Sequence, residues 1–509
     1  MSFFAFLRSW RYLFIFLGVV LGVALFYAEE NWRGERAWEK HRQELAAHGQ
    51  VSDGAALVPA PVADSQNFAM TPFLLRTLTQ RALPAGFAPW HERASNAIKP
   101  EKTPRTNLWT RPRTDLAAWY AAFLNSTNAA TRQALGIVST NFNFPRAEAA
   151  AGVLSALAEC EPVLEELREA SQRPFCRFDL SYHQENPATI LLPHLAPLKH
   201  LCSVLQLRAS AELALGRTDE SLEDIELTFR LADALQEEPF LISQLVRITE
   251  FHIALQPLVE GLAAHQWSEP QLKTIEARLR RFDFCADGRR TLEADCLFFG
   301  CRIAEYLRRH PGAYINEMAN SGEGLGANLA GVLVRLAPSG WFDFEKRNCS
   351  RMFQESILPA FDPANHRVSP ALCVNAEERI TALRRHSPAA LILRHEMLSA
   401  LLLENRSGFV RRTAFMQTGA DLVAVACALE RHRLAQGRYP ETLESLASQW
   451  PGQLPRDIIN GQPLKYHCTA DDHFTLYSVG WDEKDDGGLV RLNKSGEGVD
   501  LEEGDWVFQ

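Results

Sequence analysis

The sequence predicts a mainly α-helical, membrane-anchored protein: a single N-terminal transmembrane helix, a helical central region and a small α+β domain at the C-terminus. Three observations carry that expectation. An uncharged apolar run opens the chain, apolar residues recur at three- and four-residue spacing through its middle, and short strand-like segments separated by turn residues close it.

The opening run, Tyr12 to Ala28, is 17 residues long, and as a helix it would span roughly 25 Å, enough to cross the apolar core of a bilayer. Arg8 and Arg11 on its N-terminal side can snorkel to the headgroups, and Trp10, Tyr12 and Tyr27 suit the interface. The other flank, Glu29-Glu30-Asn31-Trp32-Arg33, mixes signs. The positive-inside rule therefore leaves the short tail in the cytoplasm and sends the bulk of the chain across the inner membrane into the periplasm. A cleaved signal peptide would share the basic start and the apolar run. Phe26 stands where a cleavage site before Glu29 needs a small residue, and no cysteine there offers a lipid attachment point, so the run is expected to stay as a signal-anchor.

Residues 29–48 are charged and helix-prone, and are expected to continue the anchor as a solvated stalk; 49–67 have the Pro, Ala and Gly content of a linker. A helical domain over 68–410 follows, with a weaker pattern near 311–370, and then an α+β domain over 411–509. The 509 residues exceed what one core normally organises, and the 46% apolar fraction excludes a disordered chain. A net charge of −9 with no long basic block argues against nucleic acid as a partner. The arginine pairs Arg384-Arg385 and Arg411-Arg412 read as solvated helix faces. None of the ten cysteines forms a C-x-x-C pair, so zinc is not expected, and Cys160, Cys202 and Cys427 read as small buried thiols.

Helical periodicity is clear at 116–124, 147–170 and 195–216. Residues 205–235 read as a helical hairpin: Gly216 ends the first helix, Thr218 or Asp219 caps the second, and Leu222, Ile225, Phe229 and Leu231 face a core. The turn is similar to that of a tetratricopeptide-type unit, although no sustained repeat period follows. Another helix opens at Ser268-Glu269-Pro270. Ser321 to Gly326 is rich in glycine but lacks the preceding strand and following Gly-Lys-Ser/Thr of a phosphate loop, and reads as a flexible turn.

Catalytic motifs are absent. His395-Glu396-Met397-Leu398-Ser399 begins like a zinc-peptidase helix but has Ser399 where the second histidine is required, so it reads as a helix-surface pair. No G-x-S-x-G elbow or Walker motif occurs, and Glu161, Glu165 and Glu166 read as a solvated face.

The last hundred residues carry the most specific pattern. Leu422, Val425, Ala426 and Leu429 form a helix stripe that ends at Gln436-Gly437-Arg438-Tyr439-Pro440, and Glu441 to Ala447 forms a short second helix. After the turn Asn460-Gly461-Gln462-Pro463 come strands at Leu464–Cys468 and Phe474–Val479, an Asp- and Gly-rich turn over 480–488, and a closing strand at Asp505–Phe508. This order of motifs resembles the globular domain of the major pseudopilin of type II secretion systems. Gly437, Tyr439 and Pro440 match its G-x-Y-P turn. Asp457, Gly461, Pro463 and Tyr466 match its D-x-x-G-x-P-x-x-Y segment with one extra residue, and Leu476, Tyr477, Ser478 and Gly480 match L-Y-S-x-G. In that family the acidic loop binds calcium, so the resemblance implies Asp482 and Asp505 as ligands, joined by Asp485 or Asp486. A solvated acidic turn is the alternative. The resemblance covers about 90 of the 509 residues, and the membrane helix lies about 400 residues upstream, without the family's leader junction or glutamate. As a whole the chain resembles a group of bacterial membrane-anchored proteins that carry this segment after a helical region, a likeness that assigns no activity.

The resulting expectation is a non-catalytic envelope protein that makes protein contacts, with a secretion or pilus-like assembly as the setting that the resemblance implies. The alternative is an extracytoplasmic enzyme of unrecognised type with its site in the helical domain.

Overall fold

The computed structural model describes residues 2–80, 113–126, 144–310, 332–468, 473–494 and 499–508. The glycine-rich stretch at 321–326 lies outside them. The described chain is mainly helical with small sheets, as expected. α1, Ser2–Ala47, is one uninterrupted helix of 46 residues, about 69 Å long at 1.5 Å per residue. From Leu13 to Phe26 its large apolar side chains face outward, with Phe14 62% exposed and Leu25 61%. Leaving each in water forgoes about 1.5–3 kcal/mol of burial, so lipid is the medium that suits this half. Among the described residues it is the one helix long and apolar enough to cross a membrane.

The body is built from helices. α2 (Pro72–Gln80), α3 (Leu116–Ser126), α4 (Arg146–Leu157) and α5 (Glu161–Ala170) lead to α6 (Leu195–Ala214) and α7 (Thr218–Asp233). α4 and α5 replace the single helix expected over 147–170. Pro162 has no N–H and its ring clashes with the preceding turn, so a 3-10 turn at Ala158–Cys160 intervenes. α6 and α7 form the expected hairpin. Gly216 turns it at φ +74°, a conformation that disfavours any other residue, and Arg208 Nε meets Asp224 Oδ2 at 3.1 Å, eight positions either side of that glycine. Ile225, Phe229 and Leu231 are buried, Leu222 partly so. Thr218 and Asp219 do not cap α7; their side-chain oxygens accept from Gln271 Nε2 at 3.0 and 2.6 Å.

α8 (Leu241–Ala263) packs against both hairpin helices. α9 (Glu269–Leu279) opens at Ser268 as expected, and α10 (Phe284–Ala294) runs through a π-helical turn at Asp295–Gly300 into α11 (Cys301–Arg309). α12 (Ser339–Met352), the two-residue strands β1 (Phe361–Asp362) and β2 (Arg367–Val368), α13 (Pro370–Arg384), α14 (Pro388–Leu393), α15 (Met397–Leu402) and α16 (Arg406–Gln436) follow. One apolar core runs from Leu57 and Ala209 to Phe508, a second gathers around Phe68, Leu164 and Leu205, and a small third joins Leu307, Val334, Phe342, Ile392 and Met397.

The solvated stalk does not form. α1 continues past the apolar run, but residues 31, 34, 38, 41 and 45 recur on one face that packs inward, with Gly34, His41 and Leu45 buried. That face lies on α12. Tyr27 Oη donates to the Leu336 carbonyl at 2.5 Å, the Gly340 N–H to Asn31 Oδ1 at 3.0 Å, Trp341 Nε1 to Glu30 Oε2 at 2.9 Å, and His41 Nε2 pairs with Ser350 Oγ at 2.9 Å. The backbones touch at two glycines: a Cβ on Gly34 would sit 2.1 Å from the Gly340 carbonyl oxygen, and one on Gly340 would sit 2.1 Å from that of Glu30. The linker is seated too, since Leu57 is 5% exposed and the Pro59 carbonyl accepts from Arg177 Nε at 2.9 Å.

α16 is more than a one-sided stripe. Val423, Ala424, Cys427 and Ala428 are buried along with Leu422, Val425, Ala426 and Leu429, because the helix runs between α9, α10 and α13 and the C-terminal sheet. A division at 410/411 falls inside it. The helix expected at 441–447 is reduced to a 3-10 turn, Leu443–Leu446. β3 (Lys465–Cys468) and β4 (Phe474–Ser478) pair antiparallel. A hairpin the sequence reading did not anticipate, β5 (Val490–Leu492) with β6 (Val499–Gly504), precedes β7 (Trp506–Phe508), which adds to β4 with Tyr477 opposite Val507.

Candidate functional site

The residues that carry the C-terminal motifs tie the module together. Tyr439 Oη donates to Glu430 Oε2 at 2.8 Å and Tyr466 Oη to the Pro440 carbonyl at 2.8 Å. Asp457, 2% exposed, accepts the N–H groups of Ile459 and Val479, each at 2.9 Å, and the Ser478 hydroxyl at 3.0 Å, so one carboxylate pins the 457–463 turn to the end of β4. Burial raises its pKa against the pull of those donors.

Beside this module a groove of about 630 Å³ opens between α13, the first turns of α16 and the acidic turn after β4. Its walls carry Glu377, Asp482, Glu483, Asp486, Glu502 and Glu503 against Arg411, Lys484 and Arg491. Each cation has an acid nearby: Arg411 Nη1 lies 2.7 Å from Glu502 Oε1, Lys484 Nζ 3.9 Å from Asp482 and Arg491 Nη2 3.8 Å from Asp486. The remaining acids leave the groove net negative, and low-dielectric walls focus such a field. Pro370, Ala371 and Val374 supply an apolar wall, with Val374 50% exposed. Such a site can hold a basic, partly apolar segment.

The four aspartates expected as calcium ligands separate into two pairs. Asp482 and Asp486 line the groove. Asp485 turns to the sheet, accepting from Tyr477 Oη at 3.0 Å and lying 2.9 Å from Lys465 Nζ, whose hydrogen bond lowers its pKa. Asp505 is 1% exposed and accepts the N–H groups of Gly488 at 2.7 Å, Leu489 at 3.2 Å and Asp486 at 3.3 Å. Among the described residues no three acidic, histidine or cysteine side chains gather as a metal-holding group. In this arrangement a cation would have to displace N–H donors from Asp505 and an ammonium from Asp485.

Other groups named from the sequence take different places. His395 is not on a helix surface: it sits at φ +56° in the turn between α14 and α15, its ring stacked on Phe344 at 4.9 Å and edge-on to Trp341 at 5.1 Å, and burial lowers its pKa. Of the three glutamates read as a solvated face, Glu165 is exposed as expected, whereas Glu161 and Glu166 are half-buried and engaged. Glu161 lies 2.9 Å from Arg168 and 2.7 Å from Arg208, both of which also bind the fully buried Asp224, and Glu166 Oε1 accepts the Phe73 N–H at 2.7 Å. Arg411 faces the groove, its guanidinium 5.9 Å from the Trp481 ring centre. Its partner Glu502 lies 91 positions away, and no local pattern joins the two. Cys160, Cys202 and Cys427 are buried free thiols with pKa values raised by burial, and the Cys296 thiol is held protonated by hydrogen bonds with Cys301 and Cys349 and by burial.

The helical domain encloses a second charged cluster. His194 Nε2 lies 2.8 Å from Glu238 Oε1, Ser243 Oγ donates to the same carboxylate, and Arg247 Nη1 binds Asp287 Oδ2 at 2.7 Å. Glu250 is fully buried, neither carboxylate oxygen has a hydrogen-bond partner among the described residues, and burial, reinforced by Glu238, drives its pKa far up. The recess beside Glu238, between Leu57, Asp287 and Arg290, is about 10 Å³, the size of one water. No protein-family model, curated protein or solved structure matches the chain.

Proposed function

We propose that this chain is a non-catalytic, membrane-anchored envelope protein that makes protein contacts, with its N-terminus in the cytoplasm and its bulk in the periplasm. The observation that supports it best is the acidic groove: an open surface of about 630 Å³ with one apolar wall suits a basic segment of another protein better than a small substrate. The pseudopilin resemblance of the same module, and the tetratricopeptide-like hairpin of α6 and α7, favour a place beside a secretion or pilus-like assembly. The enzyme alternative gains nothing from the buried charged cluster, since the recess that borders it at Glu238 and Asp287 admits one water. A photo-crosslinking amino acid at Glu503 in the full-length protein, in its native membrane, tests the reading. An envelope protein recovered there, and lost when Glu483→Lys and Glu502→Lys reverse the local charge, is the expected result; no crosslink above background overturns it.

Calcium at the acidic turn is a second reading. It is favoured by Asp482 and Asp486 on the groove wall, and requires the turn to release Asp505 from its three N–H donors. Its test is the melting temperature of the whole protein in detergent, which millimolar calcium must raise and Asp486→Asn must return to baseline.

A further inference from the structure

α1 and α12 run in parallel at a constant register: Tyr27 with Leu336, Asn31 with Gly340 and His41 with Ser350 are each separated by 309 positions. Both helices therefore lead away from the membrane side by side. Residues 332–338, which lead into α12, stand level with the end of the apolar run of α1. Residues 332–336 form a short helical turn there, pinned to the anchor by the Tyr27–Leu336 bond at 2.5 Å.

That turn has two faces. Val334, 3% exposed, packs inward with Leu307, Phe342, Ile392 and Met397, while Val332 and Leu336 point outward at 52% and 63% exposure. Arg335, between them in sequence, is exposed. Leu391 and Ile392 at the end of α14 close the same apolar cluster from the inside. Large apolar side chains presented together beside a membrane helix, with an arginine able to reach the headgroups, are the composition of an interfacial surface.

We infer that the surface formed by Val332 and Leu336 rests in the phospholipid interface, so that the body is seated on the bilayer at the point where α1 leaves it. This inference rests on α1 spanning a membrane. Continuity with α1 favours lipid over a second protein as occupant, because the hydrogen-bonded Tyr27 fixes the height of the turn at the last residues of the apolar run.

The test places a benzophenone-bearing amino acid at 332, at 336 and, as a control outside this cluster, at Leu434, which is 47% exposed near the end of α16. Each full-length protein is reconstituted into vesicles of phosphatidylethanolamine and phosphatidylglycerol, floated, irradiated and examined for lipid adducts by mass. Adducts at 332 and 336 should exceed those at 434 by roughly tenfold, the preference that partial burial of one large aliphatic side chain provides. Protein that floats with the vesicles but gives no excess of lipid adducts at 332 and 336 overturns the inference, as does crosslinking there to a protein segment instead of lipid. Protein that fails to float overturns the anchor itself, a separate and recognisable failure.

Discussion

The junction of α1 with α12 and the acidic groove of the C-terminal module are built by opposite means. At the junction two backbones touch through Gly34 and Gly340, and Tyr27, Asn31, Trp341 and His41 fill in around them. There is no clearance to adjust. Around the groove the walls are charged side chains held by partners up to 3.9 Å away, with water free to enter. Contacts of that kind are individually weak and readily exchanged. The contrast separates a part of the molecule that fixes position from a part that can accommodate a partner.

The sharpest way to break this comparison is Gly340→Val. Its side chain has no room against the Glu30 carbonyl, and we expect a loss of about 4 kcal/mol or more in denaturant unfolding in detergent, or release of α1 seen as new proteolysis near Gly34. A folded variant of wild-type stability would show that the junction yields. Asp457→Ala should come next: it leaves buried N–H donors unpaired and costs about 3 kcal/mol by the same measurement, whereas Asp486→Ala, on the groove wall, should stay within about 0.5 kcal/mol.

Glu345 gives a pH-dependent check on the third core, next to the junction. It is buried, accepts the N–H groups of Met397 at 3.0 Å and Leu398 at 2.9 Å, and burial pushes its carboxyl up to about 8 from an ordinary 4.5. The native state therefore holds this proton more tightly than the unfolded state, and its contribution to stability is present below pH 4.5 and lost as pH rises through 8. Unfolding at intermediate pH values should show that decline, at about 1.4 kcal/mol per pH unit, and Glu345→Gln should flatten it; an unchanged slope would place the titration elsewhere. The smallest effect is Arg411→Ala, expected to cost at most about 1 kcal/mol while making the groove more negative. A larger loss would show that the groove is as rigid as the junction.

Local patterns made much of this architecture legible. The apolar run at 12–28 marks the candidate membrane helix, Gly216 marks the hairpin, and the turn residues between 460 and 488 locate β3 and β4. Pro162 announces the break between α4 and α5, but the surrounding apolar periodicity conceals it. The junction could not be read because its partners are 309 positions apart, and a glycine inside a charged helical stretch does not reveal which backbone it admits. For the same reason Glu29 to His48 reads as solvated: most of its residues are polar, and the packed face rests on Gly34, His41 and Leu45. The acidic turn was visible as composition, whereas the division of its aspartates between groove and backbone depends on β7 returning Asp505 beneath Gly488. Arg411, half of a pair that looks solvated, shows how little a charge reveals about what it faces.

The parallel course of α1 and α12 also sets the reach of the molecule. A free tether of the 20 residues from Glu29 to His48 would let the body sweep a hemisphere with a radius of tens of ångströms. With α1 in a membrane, the interlocked helices would replace that sweep with a fixed height and a tilt shared by the body and the helix. On the proposed function, a partner for the groove would then have to come to it, either by diffusing in the same plane or by extending a segment down to the height at which the body is held.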